Sequence, residues 1–229
     1  MTTNTIRHIV CKGTHFDMGV AQGTQVATLI HAGINALVDS PYFKYVKPQL
    51  VPKQLFRWCI EQYATLKIPR WVKKYAPRQA LRIDGIAEGS KISKKVLYAC
   101  QLIELYLART RYVTHSCQSG GCTAFGIAKD DNIVIAKNFD EANFIKRFQV
   151  VRENYPEDAY ATVDLTVAPY AGNHNGMNEH GLVILYTIVT PIRKSHGVPP
   201  TILIQEALEQ CKTTCDAVEL LTRMPHGRG

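Results

Sequence analysis

Ser119-Gly120-Gly121-Cys122-Thr123-Ala124-Phe125 is the stretch on which the reading of this chain turns. Two glycines leave a backbone that bends sharply and a carbonyl open to attack. The cysteine after them opens a strand-like run over residues 122–128. A Cys122 thiolate could attack the Gly121 carbonyl and turn the Gly121–Cys122 amide into a thioester. Hydrolysis would then release Cys122 as a new N-terminus. Its freed α-amine, with an ordinary pKa of about 7.7–8.0, could serve as general base for its own thiol. Against this stands the plain alternative, a buried cysteine that only packs.

Working outward toward the C-terminus, Ile133-Val134-Ile135-Ala136-Lys137-Asn138-Phe139-Asp140 reads as a second strand. The polar turn Lys129-Asp130-Asp131-Asn132 makes the two a hairpin. An antiparallel hairpin returns the end of its second strand to the start of its first, so Asp140 is expected near Cys122. A carboxylate there could hold the new ammonium or orient substrate; otherwise it caps a turn. Further strands are expected over 148–152, 159–168 and 182–189. Asn173-His174-Asn175-Gly176 is read as a loop. Next comes Asn175-Gly176-Met177-Asn178-Glu179-His180-Gly181-Leu182, a glycine-bracketed loop entering a strand. The Asn178 amide could donate into an oxyanion hole, or Asn and Gly could simply serve the turn. Helices over 201–211 and 214–223 close the chain.

Toward the N-terminus the period becomes helical. Asp17 is expected to cap one helix carrying Val20, Val26, Leu29, Ile30, Leu37 and Val38, ended by Pro41. A second helix is expected over 53–66, before Pro69. A third should start with Pro77 at its first position and carry Leu81 and Ile86. A fourth, capped by Ser93, should run to about Thr110. The charge changes where the period does. Residues 1–121 carry 17 Lys and Arg against 6 Asp and Glu, and residues 122–229 carry 10 against 13. This divides the chain into a basic helical leader, 1–121, and a second part, 122–229, that starts at Cys122. Strands followed by helices suggest an α+β layered domain behind the leader.

Composition excludes several classes. Apolar residues make up 46% and charged residues 20%, ordinary globular usage rather than a disordered or collagenous chain. The longest apolar run, 182–189, falls far short of the about 20 residues of a membrane span. No apolar signal segment stands at the N-terminus. Seven cysteines in such a chain read as free thiols in a reducing compartment, so a cytoplasmic protein is expected. The net charge of +8 is a solvated helical surface, with no stacking aromatics of a nucleic-acid module.

Three pieces in order, Gly121-Cys122-Thr123, Asn138-Phe139-Asp140 and Gly176-Met177-Asn178-Glu179-His180-Gly181-Leu182, resemble the N-terminal-nucleophile hydrolases that use cysteine. Among these the chain is similar to the acyl-coenzyme A:6-aminopenicillanic-acid acyltransferase family of autoproteolytic acyltransferases and amide hydrolases. In the leader, Gly19 and Gly23 around Val20-Ala21-Gln22, and Asp84-Gly85-Ile86-Ala87-Glu88-Gly89-Ser90, resemble further elements of that family. The resemblance implies a four-layer αββα fold. It implies self-cleavage between Gly121 and Cys122, with Cys122 as nucleophile, Asp140 as the acid of an Asn-Trp-Asp motif (here with Phe139 for Trp) and Asn178 as oxyanion donor. Lys137 stands where related bile-salt and penicillin V hydrolases carry an Arg. Family members also supply a later Asn, in a Thr-Asn-containing segment, and often an Arg. The chain ends at Gly229 before any such segment, so an incomplete sheet with an unpaired edge, prone to self-association, is expected.

The expected activity is acyl transfer through a thioester on Cys122, acting on a linear amide or other small acyl donor and passing the acyl group to water or an amine. It needs no metal and no organic cofactor. The expected partners are therefore the small-molecule substrate and a second copy of the chain, with neither nucleic acid nor membrane. Three alternatives compete: an inactive or incomplete fragment of such an enzyme, a papain-like pair of Cys122 with His174 or His180, and a basic helical binding module. A zinc site among His115, Cys117, Cys122, Cys211, Cys215, His174 and His180 lacks the paired Cys-x-x-Cys spacing.

Overall fold

A computed structural model describes residues 6–101, 122–130, 132–140, 144–187 and 197–227. The architecture is a mixture of helices and antiparallel strands, as an α+β chain requires. The described elements are β1 (Arg7–Gly13), α1 (His15–Gln25), α2 (Ala27–Asp39), α3 (Pro41–Val46), α4 (Lys53–Tyr75), α5 (Pro77–Ser90) and α6 (Lys94–Cys100). Then come β2 (Cys122–Lys129), β3 (Asn132–Phe139), β4 (Gln149–Pro156), β5 (Thr162–Val167), β6 (Asn175–Asn178), β7 (Val183–Leu185), α7 (Pro200–Gln210) and α8 (Thr214–Arg223). Five strands form one sheet in the order β1-β4-β5-β6-β7, and β2 and β3 form a separate hairpin. Among these strands the pairings are antiparallel except β1 with β4, which is parallel from Arg7 opposite Val150 to Gly13 opposite Pro156.

The leader departs from the sequence expectation in several places, the first being strand β1, where no strand was expected. Thr14, not Asp17, caps the first helix: its hydroxyl accepts from Asp17 N–H at 3.2 Å, while Thr14 N–H donates to the Asp17 carboxylate at 3.3 Å. This is a capping box, so Asp17 sits on the first turn rather than before it. The expected single helix is two, α1 and α2, meeting at Val26. The break escapes the apolar period because Val26 is itself fully buried at the pivot. Pro41 opens α3 with Ser40 as its cap, because proline's fixed φ suits a first helical position. Helix α4 also runs through Pro69 to Tyr75, drawn on by the buried Val72 beyond it. The expected Pro77 start and Ser93 cap are both observed. The extension of the Ser93 helix toward Thr110 lies outside the described residues, as does Gly121.

Helices α1 and α5 touch backbone to backbone. A Cβ on Gly19 would lie 2.3 Å from the Arg82 carbonyl oxygen, and one on Gly85 would lie 2.1 Å from that of Phe16. Gly23 and Gly89 are blocked in the same way by Ile86 and Val20. The glycines at 19, 23, 85 and 89 are therefore packing residues. Their seam brings α1 and α5 together over one face of the five-stranded sheet, where Ile9, Met18, Ile83, Ile86, Val150 and Ile202 form the core.

Strand β5 reverses the usual alternation. Thr162, Asp164 and Thr166 are buried against the helices, while Val163, Leu165 and Val167 face the other way and are more exposed. The buried face carries a polar network centred on Arg152 and Asp164. Arg152 donates to Asp164 at 3.0 and 3.1 Å, to Gln22 Oε1 at 2.8 Å and to Gln205 Oε1 at 3.1 Å. Asn154 donates to Asp164 at 2.7 Å and accepts from Arg82. Burial first, then the neighbouring Arg152, push the Arg82 guanidinium down to about 10. A buried network of this kind is tolerable only when its charges are paired and hydrogen-bonded.

Candidate active site

Cys122 is the first residue of β2 and is half-buried. Its cross-strand partner is Phe139, the last residue of β3. Asp140 follows directly and is exposed, so the hairpin brings the nucleophile candidate and the carboxylate to the same end. The period of two puts Cys122, Ala124, Phe139, Lys137, Ile135 and Ile133 on one face of the hairpin.

That face is tied to the main sheet at the Cys122 end. The Phe139 ring packs on the buried His174 at a centroid distance of 5.0 Å. Tyr170 and Tyr186 flank the same imidazole at 5.6 and 6.3 Å. Lys137 Nζ lies 5.0 Å over the Phe139 ring and donates to the Tyr186 carbonyl. Between the far end of β3 and the outward face of β5 and β6 runs a groove of about 780 Å³, lined by Ile133, Ile135, Val163, Leu165, Met177 and Leu185 among others. The apolar outward face of β5 is one wall of it.

Asn178 occupies a different place. Strand β6 covers what the sequence suggested was a loop, because Gly176 lets α7 close in: a Cβ there would meet Leu208 at 2.6 Å. Asn178 ends that strand, away from His174, and is buried. Its amide donates both hydrogens to α7, to the Leu208 carbonyl at 2.9 Å and the Cys211 carbonyl at 2.7 Å. Its Oδ1 accepts from His180 N–H at 3.0 Å and Leu182 N–H at 3.1 Å. The expected oxyanion donor thus has no hydrogen to spare. It is a tie between a tight turn and a helix end, and its amide faces α7, not the hairpin.

Two side chains of the main sheet beside the hairpin, His174 and Asn175, were not singled out by motif as part of the site. His174 entered only as a general alternative, because nothing in the sequence says which ring Phe139 will meet. Asn175 lines the groove, and its Oδ1 is buried without a hydrogen-bond donor. Among the described residues, all six cysteines are free thiols. Among the same residues, no helix is long and apolar enough to cross a membrane.

Residues 127–229 match the model of the acyl-coenzyme A:6-aminopenicillanic acid acyl-transferase family. It is the family the sequence motifs resemble. The match begins within β2, past Cys122, and takes in the rest of the hairpin, Asp140 and the Asn178 turn. No curated protein matches the chain.

Proposed function

We propose that this protein is an N-terminal-nucleophile amide hydrolase or acyltransferase that matures by cutting itself between Gly121 and Cys122. The family match over 127–229 supports acyltransferase or hydrolase chemistry. The observation that carries the finer reading is the hairpin register: Cys122 opens β2 at the end where Asp140 leaves β3.

In maturation the Cys122 sulfur attacks the Gly121 carbonyl carbon and the C–N bond breaks. The resulting thioester is hydrolysed by water, leaving a Gly121 carboxylate and a free Cys122 α-amine. In turnover that amine takes the thiol proton while sulfur attacks the acyl carbonyl of the substrate. The proton then passes to the departing amine. Water or a second amine accepts the acyl group and restores the thiol. Backbone N–H groups hold the oxyanion. Asp140 steadies the α-ammonium, and Asn178 acts only by fixing the turn after β6. The hairpin is the beginning of a second β-layer over the apolar outward face of the main sheet, which gives the αββα order. The free thiols fit a reducing compartment.

The test is the intact mass of the purified protein beside that of Cys122→Ala. Two fragments meeting at Gly121 and Cys122, in the wild type alone, are expected, with loss of amide turnover in the variant. A single uncut mass in both, or cleavage at the same bond in Cys122→Ala, would overturn self-processing by this residue.

A further inference from the structure

Helix α4 is apolar on two faces. Its inner face packs on α5 and α6, with Ala64 and Val72 fully buried and Ile60 and Trp71 against the core. Its outer face carries Leu55, Trp58 and Leu66, which are 49%, 57% and 69% exposed. Leu50, in the turn just before the helix, is 98% exposed. Positions 55, 58, 62, 66, 70 and 73 follow one another three or four apart, so they form one stripe along the helix. A lone exposed leucine needs no explanation. A row of leucine and tryptophan on the outside of a helix already anchored by its other face marks an interaction surface.

The same segment is strongly basic. Residues 41–75 contain eight Lys and Arg and one acidic residue, Glu61. Two of the eight are paired within the leader, Lys53 with Asp39 of α2 and Arg57 with Glu61 at 2.8 Å. The stripe itself ends in two exposed cations, Arg70 and Lys73. At its middle, Lys95 of α6 donates to Gln62 Oε1 at 3.4 Å, which brings a further cation beside the apolar row. The leucines and the tryptophan call for a hydrocarbon-like partner, and the cations around them call for an anionic one.

We propose that the outer face of α4, with the turn at Leu50, docks on the surface of an anionic lipid bilayer. Leu55, Trp58 and Leu66 enter the boundary between headgroups and acyl chains, and Arg70, Lys73 and Lys95 stay among the lipid phosphates. Charge complementarity selects this occupant. A second copy of the chain would lay one basic face against another across a twofold axis. A nucleic acid would answer the cations but set the leucines against phosphate. Docking by a surface helix needs no membrane span, so it departs from the expectation of no membrane partner without calling for a long apolar helix. The surface lies in the leader and uses none of the residues proposed for acyl transfer.

The test is co-sedimentation of the full chain with vesicles, made of phosphatidylcholine alone or with about one-third phosphatidylserine. Binding to the anionic vesicles is expected, at least about tenfold stronger than to the neutral ones and weakening as salt is added. Each Lys or Arg near such a surface is worth about a fivefold change, so Arg70→Gln with Lys73→Gln should weaken binding about 25-fold. Trp58→Ser with Leu66→Ser, at exposed positions that leave the core intact, should weaken it by more than about tenfold. In Trp71→Phe, Trp58 is the one remaining tryptophan, and its emission should move to shorter wavelength on the anionic vesicles. Cys122→Ala should bind as the wild type does, so loss of processing and loss of docking are read separately. Failure to sediment with anionic vesicles, or unchanged binding by the Trp58 and Leu66 double variant, would overturn the proposal. So would tighter binding to polyuridylate than to the vesicles, or a dimer in solution that the same double variant dissociates.

Discussion

Asn178 uses both amide hydrogens and both carbonyl lone pairs inside the protein. Truncation would strand the Leu208 and Cys211 carbonyls and two turn N–H groups in a buried place. Asn178→Ala should therefore lower stability by about 2–4 kcal/mol, the sum expected for several lost buried hydrogen bonds. Denaturant unfolding checks this. A variant of unchanged stability whose turnover collapses would return Asn178 to the oxyanion role. At this scale the sequence was legible where chemistry is local. The placement of Cys122 and Asp140 at one end of a hairpin was readable because a short polar turn sets the register between them. The hydrogen bonds of Asn178 were not legible because its partners are carbonyls at the end of a helix some thirty residues further on, and the side chain alone is equally suited to a turn, a tie or an oxyanion hole. His174 was visible only as one histidine among eight.

Among the elements, the glycines of α1 and α5 give the sharpest expectation. Alanine in place of a helical glycine ordinarily stabilises a helix by up to about 1 kcal/mol. At Gly85 the added carbon would lie 2.1 Å from the Phe16 carbonyl oxygen, and backbone cannot yield there as a side chain can. Overpacking of about 1–3 kcal/mol or more outweighs the helical gain. Gly85→Ala should thus be clearly destabilising in a thermal melt, and a rise in midpoint would sink the close-packing account. Helix starts marked by Pro77 and Ser93 were readable because capping is local. The break at Val26 and the run through Pro69 were not, since tertiary burial decides both. Strand β1 escaped notice for the same reason: its partner β4 lies far along the chain, and Arg7, His8 and Lys12 dilute its apolar signal. In β5 the alternation was plain, but which side faced the helices was not. A buried arginine had to be present to make Asp164 an interior residue.

At the scale of the molecule, the two halves separated by charge are not separate bodies. Strand β1 of the leader completes the sheet alongside β4, Gln22 donates to the Ala168 and Tyr170 carbonyls at 2.9 and 2.8 Å, and His15 pairs with Glu209. A covalent link between 121 and 122 is not needed to hold such a seam. Residues 1–121 and 122–229 produced as two chains in one cell should co-purify as a single complex and part only in denaturant. Independent elution under native conditions would contradict this. The basic excess of the leader is consistent with that arrangement, since the charges crossing the seam are a small, paired subset.

The parallel pairing of β1 with β4 also bears on the order of events during synthesis. His8 and Glu153, joined across those strands at 2.8 Å, are 145 positions apart in sequence. Helices α1 and α5 can lock together as soon as both have left the ribosome, but β1 beside them must wait for β4 to be made. Until then the nascent chain carries an open strand edge on an already assembled helical pair. Closing so long a loop is slow compared with local contacts. The first strand translated is thus among the last to find its neighbour.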